Sequence, residues 1–405
     1  MSRAHEPTIL LVAPYGFNDR LTNYIEFVTG RLLARNGWRV YAIARHEKDE
    51  AEESVVEGVR VTRYESTIQG AWRLVGLFFR TRPDVVHVHN LRNNQIGFLA
   101  AILAQLFRTP LLFSEYGLPH DHYLSENRDD PYTKPFLYEN VVTSLGDLLH
   151  RIARHPRGSA AHVRNYLFHY PLFAARTVVF VSKHNVPIAK KLGIRDTRYI
   201  PYIVDDVRWS IDSERDSSLE ARVRGLAPGR KALFVGQFKD RKGWKTFLNA
   251  IPEVPSAVIS VFVLVTPSSD RSEYDSLVKK LRIENRVALF ERIPGPILRD
   301  LFAVSDMVVV PSLYEGFGLV PLEAFESEKP VIASRVEALT DFLTNGENAL
   351  LASPNDAHAL ARAIRKLADD SELRERLVRG GNKTLNDMRG KEAHAAWLAL
   401  FSQYR

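Results

Sequence analysis

The chain has 405 residues, 45% of them apolar and 25% charged, with a net charge of +7 and no cysteine. This length exceeds one ordinary hydrophobic core and predicts two domains, and the composition is that of a soluble globular protein. The lack of cysteine excludes a disulfide framework and fits a reducing compartment.

Residues 1–7 are polar, and the apolar run at 9–13 is too short for a signal peptide or a membrane span, so a cytoplasmic protein is expected. Stretches 8–12, 39–44, 59–63, 85–88, 111–114 and 177–181 read as strands, most of them separated by helical patterns. Such alternation predicts an α/β fold with a parallel, doubly wound sheet. Phe27, Leu32 and Leu33 fit a helix packed on that sheet, and Asn36-Gly37 ends it. The loop after Val12 holds a single glycine, Gly16. His87 and His89 fall at a strand end without the further clustered ligands a metal would need.

The positive charge is local. Residues 148–195 contain no Asp or Glu but nine Lys or Arg, which leaves −2 for the rest of the chain. Leu145, Leu148, Leu149 and Ile152 form the apolar face of a helix whose other side carries Arg151, Arg154 and His155, and Pro156 stops it. Aromatic residues follow among further cations. An anionic partner is expected there, with a membrane surface as the candidate; no recognition motif for nucleic acid accompanies the charge.

The charged stretch from Asp212 and the turn Pro228-Gly229 predict a boundary. The expected division is a first domain of 1–208, a linker at 209–229, a second domain of 230–387 and a terminal helix of 388–405. Strands are expected in the second domain at 232–235, 258–265, 287–290, 307–310, 331–333 and 349–351. Ser353-Pro354-Asn355-Asp356 opens a helix with Leu360, Ile364 and Leu367 on one face. In the last helix Trp397, Leu400, Phe401 and Tyr404 share a face that needs a partner.

The stretch 307–330, MVVVPSLYEGFGLVPLEAFESEKP, reads as strand, loop and helix. A loop of this kind lies at the carboxyl edge of an open sheet, where ligands bind, and the helix start at Leu319-Val320 offers N–H groups to an anion. Gly316 and Gly318 allow close backbone approach, and Glu315 and Glu323 frame the turn. E-G-F-G-L-V-P-L-E is similar to the donor-site motif of glycosyltransferase family 4, retaining nucleotide-sugar enzymes of GT-B architecture. The resemblance extends over most of the chain.

It implies two Rossmann-like domains facing a central cleft, the second binding a nucleotide sugar and the first a glycan, lipid-linked or small-molecule acceptor. It implies a hexosyltransferase that needs neither a cofactor nor a metal. In G-Q-F-K-D-R-K-G, Gly236 to Gly243, Lys242 matches the family lysine on the donor diphosphate, while Gln237 stands where the family usually has arginine. Glu315, with the backbone of Gly316, Phe317 and Gly318, is implied to hold the sugar, and Glu323 the ribose. Lys242 and Glu315 are thus the catalytic candidates, and Gly16, Gly236, Gln237, Leu319 and Val320 complete the implied donor contacts. Tyr116 replaces a histidine common in the family near the reacting sugar. His120 and His122, just beyond it, match no family position. The rival readings are another activity on the same architecture, such as sugar-nucleotide epimerisation, and a catalytically impaired nucleotide-sugar-binding subunit. A glycosidase is disfavoured because the two glutamates are better explained as donor ligands. The family's C-terminal helix returns to the first domain, and a peripheral position at the inner membrane face is expected for the protein.

Overall fold

The computed structural model describes residues 6–13, 17, 25–46, 50–90, 94–116, 140–204, 216–267 and 271–404. Gly16, His120 and His122 lie outside these residues. Two compact units are present, Met1–Arg208 with Arg389–Arg405, and Trp209–Met388.

The first unit alternates β1 (Thr8–Val12), α1 (Ile25–Arg35), β2 (Arg39–Arg45), β3 (Glu53–Val56), β4 (Val59–Tyr64), α2 (Thr67–Thr81), β5 (Val85–His89), α3 (Gly97–Leu106) and β6 (Leu111–Glu115). It continues with α4 (Leu145–Arg154), α5 (Ser159–Ala174), β7 (Thr177–Phe180), α6 (Asn185–Lys191) and β8 (Thr197–Tyr199). Among the described residues the strands run β3-β4-β2-β1-β5-β6-β7-β8, parallel except for the hairpin partner β3. Side chains alternate across the sheet. Leu10, Val12, Val86 and Val88 enter a core with Leu74, Phe78, Ala100 and Leu103 from α2 and α3. On the other face Leu11 lies under Gly30 of α1. There too His87 meets Trp397 and Phe401 of the last helix, α15 (Lys391–Ser402), at ring separations of 6.2 and 5.5 Å. The Trp397 indole N–H donates to the Pro201 carbonyl at 3.1 Å, so the aromatic face expected to need a partner has one.

The second unit begins in the stretch expected as linker, which holds a helix, α7 (Ser217–Arg224). Asp216 caps it, and Arg222 ties it to the sheet through the Leu289 carbonyl at 2.8 Å. Then come β9 (Lys231–Val235), α8 (Trp244–Ala250), β10 (Val261–Thr266), α9 (Ser272–Leu281), β11 (Val287–Glu291), α10 (Gly295–Val304) and β12 (Met307–Val310). The unit closes with α11 (Val320–Glu326), β13 (Val331–Ser334), α12 (Glu337–Thr340), β14 (Ala349–Ala352), α13 (Ala357–Asp369) and α14 (Ser371–Arg389). The strand order is β11-β10-β9-β12-β13-β14 with parallel pairings. Asp356 caps α13 by accepting from the Ala359 N–H at 2.8 Å, and Leu360, Ile364 and Leu367 are buried against the sheet core.

The sheet order of each unit reverses at one place. Strands after β1 first add on the β2 side and then, from β5 onward, on the other; in the second unit the reversal falls between β9 and β12. Loops leaving the carboxyl ends of strands at such a point diverge and leave a crevice, the common ligand position in open sheets.

Candidate active site

The second unit's reversal point joins the two stretches singled out by sequence. The loop after β9 carries Gly236 to Gly243, and the loop after β12 carries Pro311 to Leu319. Their backbones interlock: the Leu313 and Tyr314 N–H groups donate to the Arg241 carbonyl at 2.8 and 3.2 Å. Gly243 sits at φ +67°, and a Cβ there would lie 1.7 Å from the Pro311 carbonyl oxygen. Only glycine permits that approach in a left-handed conformation. The approach brings Lys242 to the second loop.

There the Lys242 ammonium donates to both Glu315 carboxylate oxygens, at 2.7 and 2.9 Å. Ser312 Oγ donates to Oε1 of the same carboxylate at 2.7 Å. Glu315 is 6% exposed, so the pair is largely desolvated. Burial alone would raise the Glu315 pKa, but the positive charges of Lys242 and Arg241 and the hydrogen bonds donated by Lys242 and Ser312 outweigh it and hold the carboxyl below its usual range. For Lys242, burial and then Arg241 outweigh the attraction of Glu315 and hold the ammonium below its ordinary value. The site therefore holds a lysine–glutamate ion pair that is largely shielded from water.

The other donor contacts expected in this unit lie on the same two loops and on the start of α11. Gly318, at φ +96°, turns the chain above Leu339, and Phe317 is buried in a stack on Phe342 at 5.4 Å. Leu319 precedes the first turn of α11 without a side-chain cap, and Val320 begins the helix. Glu323 is buried in that first turn, 4% exposed. Gly236 closes onto β10 through the Val265 carbonyl at 2.9 Å, while Gln237 is exposed beside it. Gly316 is half-buried on the loop with Glu315. Ser312 and the Arg241 carbonyl were not visible in the sequence as parts of the site; a serine four residues before a glycine is an ordinary loop signal.

The first unit holds a second polar cluster, at the carboxyl ends of β5 and β6 and the start of α1. His89 Nδ1 lies 2.6 Å from the Tyr116 hydroxyl, which also hydrogen-bonds Glu26. Asn94 Nδ2 donates to the His89 and Val12 carbonyls at 2.8 and 3.2 Å. Burial drives the Glu26 carboxyl up to about 8, above what its backbone and Tyr116 hydrogen bonds restore. Burial also pushes His87 down to about 3 and His89 well below the usual histidine range, the latter with a contribution from His87. His87 bonds Ser114 Oγ at 2.8 Å and packs against the His89 ring, tilted by 41°, at 3.9 Å. Among the described residues no three His, Asp or Glu side chains group as metal ligands. Glu26 escaped sequence reading because a glutamate in a helix's first turn looks like a dipole partner; only the sheet behind it turns that face inward.

Two doubly wound units of mainly parallel strands, one with a paired lysine and glutamate at its reversal point, define a two-domain α/β protein with a candidate ligand crevice in its second sheet. Comparison with known sequences agrees in both halves: residues 29–202 match the glycosyl transferase 4-like domain and residues 221–384 the glycosyl transferases group 1 family. The chain belongs to the GT-B-fold glycosyltransferases related to these two families. A D-inositol 3-phosphate glycosyltransferase of Corynebacterium glutamicum is 25% identical over 73% of this chain and 66% of its own length. An alpha-D-kanosaminyltransferase of Streptomyces kanamyceticus is 26% identical over 76% of each chain. The chain thus spans just under two thirds of the corynebacterial relatives it matches, 66% and 65% in two of them. In fold it is similar to the sucrose-phosphate synthase of Thermosynechococcus elongatus, with a TM-score of 0.73, 19% identity and 98% of both chains covered. It is similar also to the Anabaena protein HepE in complex with UDP-glucose, with a TM-score of 0.69, 16% identity, and 98% of this chain and 99% of the other covered.

Proposed function

We propose that the protein transfers a sugar from a nucleotide-sugar donor to an acceptor hydroxyl, with retention at the anomeric carbon and without a metal. The observation that carries this reading is the buried Lys242–Glu315 pair at the reversal point of the second sheet, 2.7 Å apart. A nucleoside diphosphate gains negative charge on its leaving oxygen as the glycosidic bond breaks. Lys242 supplies a compact cation for that charge, so its contact strengthens toward the transition state. Glu315, released from part of its pairing when the diphosphate arrives, accepts hydrogen bonds from sugar hydroxyls. The backbone from Gly316 to Gly318 lines the sugar, and Glu323 at the start of α11 accepts from the ribose. The acceptor is a glycan, glycolipid or small molecule bound by the first unit. Relatives named as lipopolysaccharide core glycosyltransferases in Rhizobium meliloti, 32% identical over 47% of this chain in one case, support this range.

Donor turnover with product analysis tests the reading. An α-configured donor should give an α-linked product at a rate unchanged by a chelator. A β-linked product would refute retention, and activity lost to a chelator and restored by magnesium or manganese would refute metal independence. Epimerised donor without transfer would establish the rival activity, and binding without any product the impaired subunit.

A further inference from the structure

Among the described residues, the large apolar side chains that remain exposed are confined, except for Val55 and Val304, to one helix layer of the first unit. Ile68, Trp72 and Phe79 recur along α2 at helical spacing, with Trp72 75% exposed. Leu106 and Phe107 end α3, where the Phe107 ring meets Phe79 at 5.2 Å. Leu145 and Leu149 line α4, and Val163 and Leu167 line α5. These helices are neighbours, α2 beside α3, α3 beside α5 and α5 beside α4. An apolar cavity of about 570 Å³ opens between α3 and α5, walled by Phe98, Val163, Leu167 and Phe168, with Asn94 and Arg164 among its polar members.

The charge of the same layer is one-sided. Helices α2 to α6 contain one acid, Asp147, and it is engaged by Arg151 at 2.8 Å. Arg154, Arg157 and Arg164 are exposed, and none has an ion-pair partner among the described residues. The basic stretch 148–195 does not act as one surface, however. Arg176 lies over the Tyr404 ring at 5.7 Å and Lys183 over Tyr199 at 5.4 Å, away from these helices. What the layer presents is apolar and aromatic side chains bordered by unpaired arginines, which suits an interface where hydrocarbon lies beneath anionic headgroups.

We propose that the α2–α3–α5–α4 layer docks on an anionic lipid bilayer, with Trp72, Phe79, Phe107, Leu149 and Leu167 entering the headgroup–acyl boundary and Arg154, Arg157 and Arg164 contacting lipid phosphates. The surface thereby extends the basic segment to α2 and α3, which carry its aromatic residues. Docking is independent of the transfer reaction and is read without it.

Flotation of the full-length protein with vesicles of phosphatidylcholine alone, or mixed with phosphatidylglycerol, tests the proposal. Binding should require phosphatidylglycerol and weaken with salt, as charge contacts at a headgroup surface do. Replacing Arg154, Arg157 and Arg164 together with Gln should weaken it by about a hundredfold at low salt, at roughly fivefold per headgroup contact. Trp72→Ser with Phe79→Ser should weaken it by about tenfold or more, whereas Trp72→Phe should retain it. All these side chains are exposed, so unchanged thermal unfolding verifies that the variants fold. Absence of vesicle binding by the wild type, or equal binding to both vesicle types, would overturn the proposal. So would undiminished binding by the two variants. If the Trp72→Ser/Phe79→Ser protein instead turns a solution dimer into a monomer while binding vesicles as before, the face is an interface between copies of this chain.

Discussion

Lys242 and Glu315 stabilise each other in a site that excludes most water, so removing one leaves the other buried without its counter-charge. Lys242→Met should therefore cost about 3–5 kcal/mol of stability, measured by chemical denaturation, because Glu315 is left uncompensated. Lys242→Met combined with Glu315→Gln should recover most of that loss yet remain inactive. A purely structural pair would regain activity along with stability. At saturating donor, loss of the ammonium should lower turnover by on the order of a hundredfold, as for removal of one donor from a developing anion. Glu323→Gln should chiefly raise the donor KM and spare turnover, since the ribose carries no changing charge.

Glu26 gives the first unit a pH signature. Its folded pKa, about 8, lies above that of the unfolded chain, so its contribution is complete at low pH and is lost as pH rises through 8. The buried neutral histidines have the opposite sign. Their contribution is complete above the unfolded value near 6.5 and is lost on acidification toward the folded value, about 3 for His87. Between roughly pH 6.5 and 8 Glu26 is thus the group among these three that sets the slope. The wild-type melting temperature should fall across that window, and Glu26→Gln should flatten the fall. An equal slope in the variant would show that Glu26 already ionises in the folded protein.

At the scale of elements, the interlocked loops of the second unit depend on Gly243 more than on Gly318. A Cβ at 243 would meet backbone, 1.7 Å from the Pro311 oxygen, whereas at 318 it would meet the end of a Leu339 side chain at 2.4 Å. Gly318→Ala should cost about 1–2 kcal/mol, the penalty of a left-handed alanine plus a shifted leucine. Gly243→Ala should cost more, since the loop must move and carry Lys242 away from Glu315. Denaturation midpoints decide this, and equal midpoints would refute the interlock.

The same elements show what the sequence could reveal. Central parallel strands are buried on both faces, so β1, β5, β9 and β12 appear as plain apolar runs and were legible. The edge strand β3 (burial exposed, intermediate, exposed, buried) and the three half-buried residues of β8 carry no such run and were missed. Strand β10 starts at Val261, not at 258, because Ser260 turns back to the Arg230 carbonyl at 2.9 Å. For the candidate site, the positions of Lys242 and Glu315 on loops and of Glu323 in a helix's first turn were legible from strand and helix punctuation, whereas their donor roles were implied by the family resemblance. The direct meeting of Lys242 with Glu315 was not, since it depends on the adjacency of β9 and β12, 73 residues apart at the contact.

At the scale of the molecule, each unit has its own core, and the terminal helix α15 completes the first. Trp397 is fully buried between β5 and the Pro201 carbonyl. Trp397→Ala should destabilise that unit by about 3–5 kcal/mol, as for other buried large-to-small aromatic changes. Calorimetry should show the loss in one transition, with the Trp209–Met388 transition kept and still raised by donor nucleotide. A single transition lowered as a whole would mean that the two cores unfold as one.

The central claim is that Lys242 and Glu315 form a nucleotide-sugar site, and the most direct measurement is titration calorimetry with a panel of nucleotide sugars and their free nucleoside diphosphates. The wild type should bind at least one sugar nucleotide and its diphosphate. The Lys242→Met/Glu315→Gln protein, folded and stable, should lose both by about tenfold or more, the order of one charge-assisted contact. Glu315→Gln alone should weaken the sugar nucleotide more than the diphosphate. Binding of neither ligand by the wild type, or undiminished binding by the double variant, would contradict the account.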